Sequence, residues 1–308
     1  MLHHLTRLLA DPPPSLVFEI SEGGVAMARM GTKSRLPESI AFRPLAPGAI
    51  DPSPIRENVH DAAELDRALA EALAEAGGPR KKKDAALLLP DNCARLTVLD
   101  FENLPGDSKE RLSLLRWRLK KAVPFDVEAA AIAYQVQRAP VGKAGPAPFS
   151  VLVTVSPAEV IGQYEAAIRR LGLTPGFVST SAASSLNLVV EHGVTMLAKL
   201  SGPILTLVVI DRGVVRLVRT LPTAPAPQAL SEDTWREMAA DLYPTFVYVA
   251  DNLGSPVSRL VLAGFGDSLR TAIDVFRREL GCEPQALAAP QGVTDAHNTG
   301  IWGYLSEN

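Results

Sequence analysis

The chain has 308 residues, of which 47% are hydrophobic and 21% are charged, and its formal net charge is −3. This composition is typical of a soluble globular protein and argues against a general nucleic-acid binder. The length allows two compact domains or one large composite domain. The two cysteines, Cys93 and Cys282, lie far apart without metal-ligand spacing, which favours a reducing compartment.

Residues 1–14 form a predicted N-terminal tail that ends in three consecutive prolines and carries leucines at helical spacing. A loosely ordered terminus and a short helix that docks on a partner or a membrane surface both fit this pattern. The next two apolar runs, 15–20 and 25–30, flank a Gly-Gly turn and predict a β-hairpin.

A helix and two strands are predicted after this hairpin. Asp61 and Glu64 suit a capping box, and Gly77 ends the helix that the box begins. Apolar runs at 85–89 and 94–101 then predict strands. The mixture of strands and helices indicates an α/β architecture.

The most regular segment runs from Leu104 to Val136 and predicts a loop, a capped helix, a sharp stop and a strand. Asp107 and Glu110 form the capping box. Pro124 ends the helix, because the residue before a proline is pushed out of the helical region. The predicted core-facing stripe consists of Leu112, Leu115, Leu119, Ala122 and Val123.

Leu114 and Trp117 fall outside that stripe, roughly 140–200° round the helix from Leu112 at about 100° per residue. Either a second layer of the same protein covers them, or they form an exposed partner-binding face, since Trp is favoured at interface hot spots. The basic residues on the remaining helix angles predict a solvated surface rather than a nucleic-acid site; they are Arg111, Arg116, Arg118, Lys120 and Lys121.

Two helices are predicted in the middle of the chain. Ser156 is expected to cap the first, with Pro157 in its first position. The second is expected from about Ala182 to Glu191, after a short strand.

The last third of the chain begins with another hairpin, joined by a turn that contains Gly213. A helical region from Ser231 follows, and Pro244 is expected to break or kink it. Hairpins and capped helices therefore occur in two successive halves, which suggests two related lobes with a cleft between them.

Several segments resemble the PilM-type pilus assembly proteins, which have an actin-like fold. They are Leu104-Pro105, the helix with Trp117, Val123-Pro124-Phe125, Tyr134-Gln135-Val136 and Leu171-Gly172-Leu173-Thr174-Pro175. The stretch 259–269 is similar to the adenosine motif of that family. The resemblance implies an α/β protein with two actin-like (ribonuclease H-like) lobes and an inserted α/β subdomain. The implied division is 15–93 with 176–195 for the first lobe, 94–175 for the inserted subdomain, and 196–308 for the second lobe.

The resemblance also implies a cytoplasmic protein at the inner face of the inner membrane. It would bind the cytoplasmic tail of a PilN-like membrane partner and join the pilus assembly machinery, with no role in nucleic-acid binding. Recruitment to a type II secretion system is the alternative setting. The sequence leaves open whether the chain forms homo-oligomers.

Actin-like ATPases hold nucleotide phosphates and magnesium with acidic, glycine-bearing turns. In the first hairpin the acid is nominally Glu19, but Ser21 replaces the glycine; in the second hairpin Lys199 stands near the position of the acid. The third turn keeps its glycines, so the residues assigned to a nucleotide are Glu19, Gly264, Gly266 and Asp267. We therefore expect a pseudo-ATPase scaffold, with no catalytic residue or metal ligand assigned and with ATP and magnesium left open. An active actin-fold ATPase or a sugar-kinase-like phosphotransferase is the alternative.

Overall fold

The computed structural model describes residues 13–31, 37–78, 83–138, 149–223, 231–289, 292 and 294–307. The strands are β1 (Leu16–Ser21), β2 (Gly24–Met30), β3 (Pro37–Pro44), β4 (Asp84–Leu89), β5 (Arg95–Phe101), β6 (Ala130–Arg138), β7 (Phe149–Pro157), β8 (Thr174–Thr180), β9 (Thr195–Ser201), β10 (Ile204–Asp211), β11 (Val214–Pro222), β12 (Arg259–Ala263) and β13 (Pro284–Ala286).

The helices are α1 (Ala62–Glu75), α2 (Ser108–Leu119), α3 (Ala158–Arg170), α4 (Ser181–Ser185), α5 (Glu232–Leu253), α6 (Leu269–Leu280) and α7 (Thr299–Glu307). Within the described ranges, none of these helices combines the length and the apolar character needed to cross a bilayer.

The two lobes are built on sheets of the same topology. The first sheet has the order β3-β2-β1-β4-β8 and the second has the order β11-β10-β9-β12-β13. In each sheet an antiparallel hairpin is followed by a parallel strand that pairs with its first strand. Strand β9 of the second lobe therefore occupies the position that β1 has in the first lobe, which confirms the α/β, two-lobed fold expected from the sequence.

Three hydrophobic cores hold these sheets. Helices α1 and α3 cover the outer face of the first sheet, with Leu69 and Tyr164 fully buried there. Helices α5 and α6 cover the outer face of the second sheet around Trp235 and Phe276. The inner faces of the two sheets share a third core with helix α7, so burial of apolar surface also joins the two lobes.

A third, smaller sheet has the order β5-β7-β6. Helix α2 packs on one of its faces through Leu115 and Leu119. Its other face contributes Leu96 to the core between the lobes. The Gln137 side chain strengthens this contact, because its Nε2 donates to the Val215 carbonyl at 3.3 Å and its Oε1 accepts from the Val215 amide at 2.7 Å.

The aspartate of each predicted capping box caps its helix. The return bond of the first box does not form, because the Glu64 side chain accepts from the Ala46 amide and the Asp61 amide donates to the Ala49 carbonyl. The Asp61 carboxylate accepts from the Glu64 amide at 2.9 Å. The Asp107 carboxylate accepts from the amides of Lys109 and Glu110 at 2.9 and 3.0 Å. These bonds satisfy amide groups that the first helical turn leaves without a partner.

Two local predictions were wrong. Ser156 does not cap α3, because its hydroxyl is buried and donates instead to the Cys93 carbonyl at 2.7 Å. The predicted helix from Ala182 to Glu191 is only α4 and one 3₁₀ turn, so it ends at Leu188. The helical region that begins after Ser231 continues through Pro244 to Leu253, so the proline does not end the helix, and a kink there stays a prediction.

Two helices pack outside the segment with which the sequence groups them. Helix α3 falls within 94–175, the predicted inserted subdomain, but its buried side chains contribute to the core of the first lobe. Helix α7 falls within 196–308, the predicted second lobe, but it crosses α4 and packs against β1 of the first lobe.

The crossing of α4 and α7 depends on two glycines. A Cβ added to Gly303 would overlap the carbonyl oxygen of Ser184, and one added to Gly300 would lie 2.9 Å from the Cα of Ser181. Real Cβ atoms do not approach backbone atoms so closely, and the contacting atoms belong to a helix that cannot give way. The two helices therefore touch backbone to backbone.

We expect Gly303→Ala to lower the free energy of unfolding by about 3 kcal/mol or more, because the added methyl group forces the crossing apart. Gly162→Ala is the matched control: it lies in α3, with no atom within 4 Å of the added Cβ. It should raise stability by about 0.5–1 kcal/mol, because alanine is the better helix former. Urea unfolding of both variants tests this; equal effects would contradict the described crossing.

Candidate functional site

The two lobes meet near the ends of β1 and β9. Glu19 stands two residues before the end of β1, and Lys199 stands two residues before the end of β9. Each faces a residue in the second strand of its hairpin, Ala26 and Thr206, at the same distance from the turn. Glu19 and Lys199 are therefore equivalent in the two lobes, and they carry opposite charges.

Lys199 joins the two lobes through an ion pair. Its Nζ lies 2.6 Å from Oδ2 of Asp91, which follows strand β4 in the first lobe, and both side chains are only 3% exposed. The other carboxylate oxygen of Asp91 accepts from the Ala182 amide at 2.6 Å. The charge at the second-hairpin position is thus neutralised within the protein.

Glu19 is also satisfied by the chain itself. Its Oε2 accepts from the amide of Ile301 in α7 at 2.9 Å, and its Oε1 accepts from the Ser181 hydroxyl in a short bond. Burial raises the pKa of Glu19 to about 7, although Lys199 and the two hydrogen bonds act to lower it. The carboxyl group therefore connects β1 to both helices of the crossing.

The turn of the first hairpin is covered by the segment that precedes α7. The Nδ1 atom of His297 lies 3.3 Å from the Ser21 hydroxyl, and its ring stacks on Phe42 with centroids 4.3 Å apart. Desolvation lowers the pKa of His297, since burial disfavours the imidazolium. A Cβ added to Gly23 would lie 3.1 Å from this ring, so the contact is close.

The third turn uses its glycines to pack against the chain. Gly264 has a φ of +80°, and a Cβ there would overlap the Leu200 carbonyl oxygen of β9. Gly266 has a φ of +50°, and its Cβ would lie 3.4 Å from that of Ala296. Asp267 is exposed on the same turn. Chain reversal and close approach account for both glycines without a ligand.

These residues do not fit a complex of magnesium with a nucleotide. The second acidic position is an ammonium group already paired with Asp91, and the carboxylate of Glu19 is engaged by Ser181 and Ile301. A metal would need carboxylate oxygens that are free to order its water shell. The assignment of Glu19, Gly264, Gly266 and Asp267 to a nucleotide stays a prediction.

The predicted partner-binding residues lie away from the cleft, on α2. Leu114 packs at the edge of the core under that helix. Trp117 is 66% exposed, whereas the other two tryptophans, Trp235 and Trp302, are buried. Of the predicted stripe, Leu115 and Leu119 are buried, but Ala122 is exposed because it lies past the end of the helix.

Sequence reasoning missed the groups that fill the cleft. No role was predicted for Asp91, Ser181, Ile301 or His297. The available signal was Lys199 itself: a lysine inside an apolar strand requires a buried acid, and Asp91 follows another apolar strand.

Comparison with known proteins identifies the fold. No protein-family model matches the chain, and no curated protein sequence matches it. A solved structure described as a PilM-PilN type IV pilus biogenesis complex is 18% identical, with a TM-score of 0.77 over 96% of this chain and 99% of that one. A protein of unknown function with an actin-like ATPase fold, from Bacteroides thetaiotaomicron, is 11% identical, with a TM-score of 0.55 over 94% and 95%. The chain therefore has a PilM-like, actin-like fold.

We expect Lys199→Met to lower the free energy of unfolding by about 3–5 kcal/mol, because it leaves the Asp91 carboxylate buried without a counter-charge. A second variant that also carries Asp91→Leu should recover most of this loss. Arg170→Met, which removes an exposed pair with Asp66, is the control and should change stability little. Urea unfolding at pH 7 compares the four proteins; an effect of Lys199→Met no larger than the control would contradict a buried pair.

Glu19 predicts a pH dependence of stability. Because its pKa is raised from 4.5 to about 7 in the folded protein, the folded state binds more protons than the unfolded state between these values. Stability contributed by the protonated carboxyl is therefore lost as the pH rises from about 4.5 to about 7. Glu19→Gln, which stays neutral, should lose about 3 kcal/mol less over this range. Parallel curves of unfolding free energy against pH for both proteins would contradict this.

Proposed function

We propose that this protein, with its PilM-like fold, is a cytoplasmic scaffold of a type IV pilus assembly complex, or of a related type II secretion system. It binds the cytoplasmic tail of a PilN-like inner-membrane protein and does not hydrolyse ATP. The observation that carries the second part is the buried ion pair between Lys199 and Asp91. The likeness to a PilM-PilN complex supports the first part.

The absence of hydrolysis is supported by three features of the cleft. An ammonium group stands at the position of the second acid, the first acid bonds to α7, and the segment 295–298 covers the first turn. Phosphoryl transfer depends on positioned phosphates and on neutralisation of their charge by metal ions. A protein that has used these positions for its own packing is better suited to recognition than to turnover.

The partner surface we propose is α2 around Leu114 and Trp117. Trp117 presents a large amphipathic ring to solvent on a rigid helix, which is typical of a binding hot spot. Leu114 is partly buried and packs at the edge of the core under α2, close to Trp117 along the helix. A tail that binds here would hold the protein at the inner face of the inner membrane.

Calorimetry with ATP and magnesium tests the proposed lack of activity. We expect no micromolar binding and no release of phosphate, because the groups that would receive a metal already bond within the protein. Micromolar binding together with turnover would reverse the proposal in favour of an active ATPase or a sugar-kinase-like phosphotransferase. A hydrolysing actin-fold ATPase, measured in the same buffer, serves as the positive control.

A binding assay with synthetic tails of candidate membrane partners tests the proposed surface. Trp117→Ala should weaken tail binding by about 30-fold or more, the loss typical of a hot spot of 2 kcal/mol, and should leave thermal unfolding unchanged. Tyr248→Ala removes an aromatic residue of similar exposure from α5 and should have no effect. If every tail failed to bind the wild-type protein, the partner proposal would fail.

A further inference from the structure

Helix α2 and the residues that follow it carry a strong local charge. Six basic residues and one acidic residue lie between Lys109 and Lys121, in a chain whose net charge is −3. The rest of the protein is therefore net acidic, and this segment is strongly basic. Such an asymmetry orients a protein toward an anionic surface, because the attraction acts at long range while the acidic remainder is repelled.

The arginines of this helix are held at its flanks. Arg111 lies over the ring of Tyr134 at 5.8 Å, and Arg118 lies over the ring of Phe101 at 5.3 Å. Arg116 approaches Glu128 at 3.9 Å. These three guanidinium groups support the packing of the helix on its sheet and fix its orientation.

The lysines point away from the protein. Lys109, Lys120 and Lys121 are exposed, and none of their ammonium groups pairs with an acid among the described residues. At about 100° per residue, the midpoint of the buried pair Leu115 and Leu119 lies opposite Trp117. Trp117 therefore lies on the side of the helix that faces away from the sheet. The apolar residues Ala122 and Pro124 are exposed just after the end of the helix.

We infer that this outward face of α2, the lysine–tryptophan face (Lys109, Trp117, Lys120 and Lys121), binds the headgroups of an anionic phospholipid bilayer. Tryptophan is enriched at the level of lipid headgroups, and basic residues beside it are attracted to anionic lipids. The face stands on one helix and the two residues that follow it, with Trp117 exposed to solvent. It presents flexible ammonium groups rather than the planar guanidinium forks that suit bidentate contacts with bases and phosphates.

The inference deepens the proposed function and rests on it in one respect. A membrane partner's tail leaves the bilayer beside the headgroups, so a helix that receives the tail at Leu114 and Trp117 comes close to the lipid. Binding to lipid alone does not require the tail. The two proposals are separated by measuring vesicles without peptide and peptides without lipid.

Intrinsic fluorescence gives a direct readout of the contact. Trp235 and Trp302 are buried, so a change on addition of vesicles reports Trp117. With vesicles of phosphatidylcholine containing a third phosphatidylglycerol, at low ionic strength, we expect a blue shift and protection from acrylamide. Vesicles of pure phosphatidylcholine should give neither. Raising the salt should release the protein, because exposed charges are screened.

Sedimentation with the same vesicles measures affinity. The double variant Lys120→Glu, Lys121→Glu should bind at least about 25-fold more weakly, at about fivefold per lysine removed. The matched control, Arg95→Glu with Arg270→Glu, changes the net charge equally at exposed sites outside α2 and should bind like the wild type. Trp117→Ala should bind more weakly than Tyr248→Ala.

Three results would overturn the inference. The first is no binding to anionic vesicles. The second is an equal loss of vesicle affinity in the α2 variant and its charge-matched control. The third is full competition with the vesicles by a DNA duplex at equal phosphate concentration. The last result would assign the face to nucleic acid. If the lysine variant loses vesicle binding but keeps tail binding, the proposed function is intact. If it keeps vesicle binding but loses tail binding, the lipid inference fails and the lysines belong to the tail site.

Discussion

The buried ion pair between Lys199 and Asp91 is the interaction on which the relation of the two lobes depends. Each charge loses its hydration in the cleft, and that cost is offset only because the partner lies at hydrogen-bond distance and Asp91 receives a further amide. Such a pair gives little net stability over an apolar contact, but it strongly penalises any arrangement that separates its members. The ion pair therefore joins the two lobes in addition to their shared core.

The two sheets have the same topology but carry side chains of opposite charge at equivalent positions. Equivalent positions hold an acid in the first lobe and a base in the second, and each is satisfied by a different element of the first lobe: Lys199 by Asp91, and Glu19 by α4 and α7. Two buried carboxylates at these positions would repel each other unless a cation lay between them. The ammonium group of Lys199 is part of the chain and neutralises the Asp91 carboxylate, as a bound cation would.

The sequence predicts those features that depend on near neighbours. The hairpins, the caps at Asp61 and Asp107 and the two-lobed α/β class follow from period, turn chemistry and spacing, because the groups involved lie within a few residues. The contents of the cleft do not follow, since Lys199 and Asp91 are 108 residues apart and Glu19 and Ile301 are 282 apart. Ser156 shows the same limit on a smaller scale: its local preference to cap a helix loses to a distant buried carbonyl.

The crossing of α4 and α7 decides how the second lobe is attached. The chain leaves the first lobe through α4 and comes back to it through α7, and Gly300 and Gly303 bring the outgoing and returning segments into backbone contact. The second lobe is therefore connected to the first by two adjacent segments, α4 and α7. A chain shortened by its last ten residues would keep every strand of both sheets. It would lose helix α7 and the Ile301 amide that donates to Glu19.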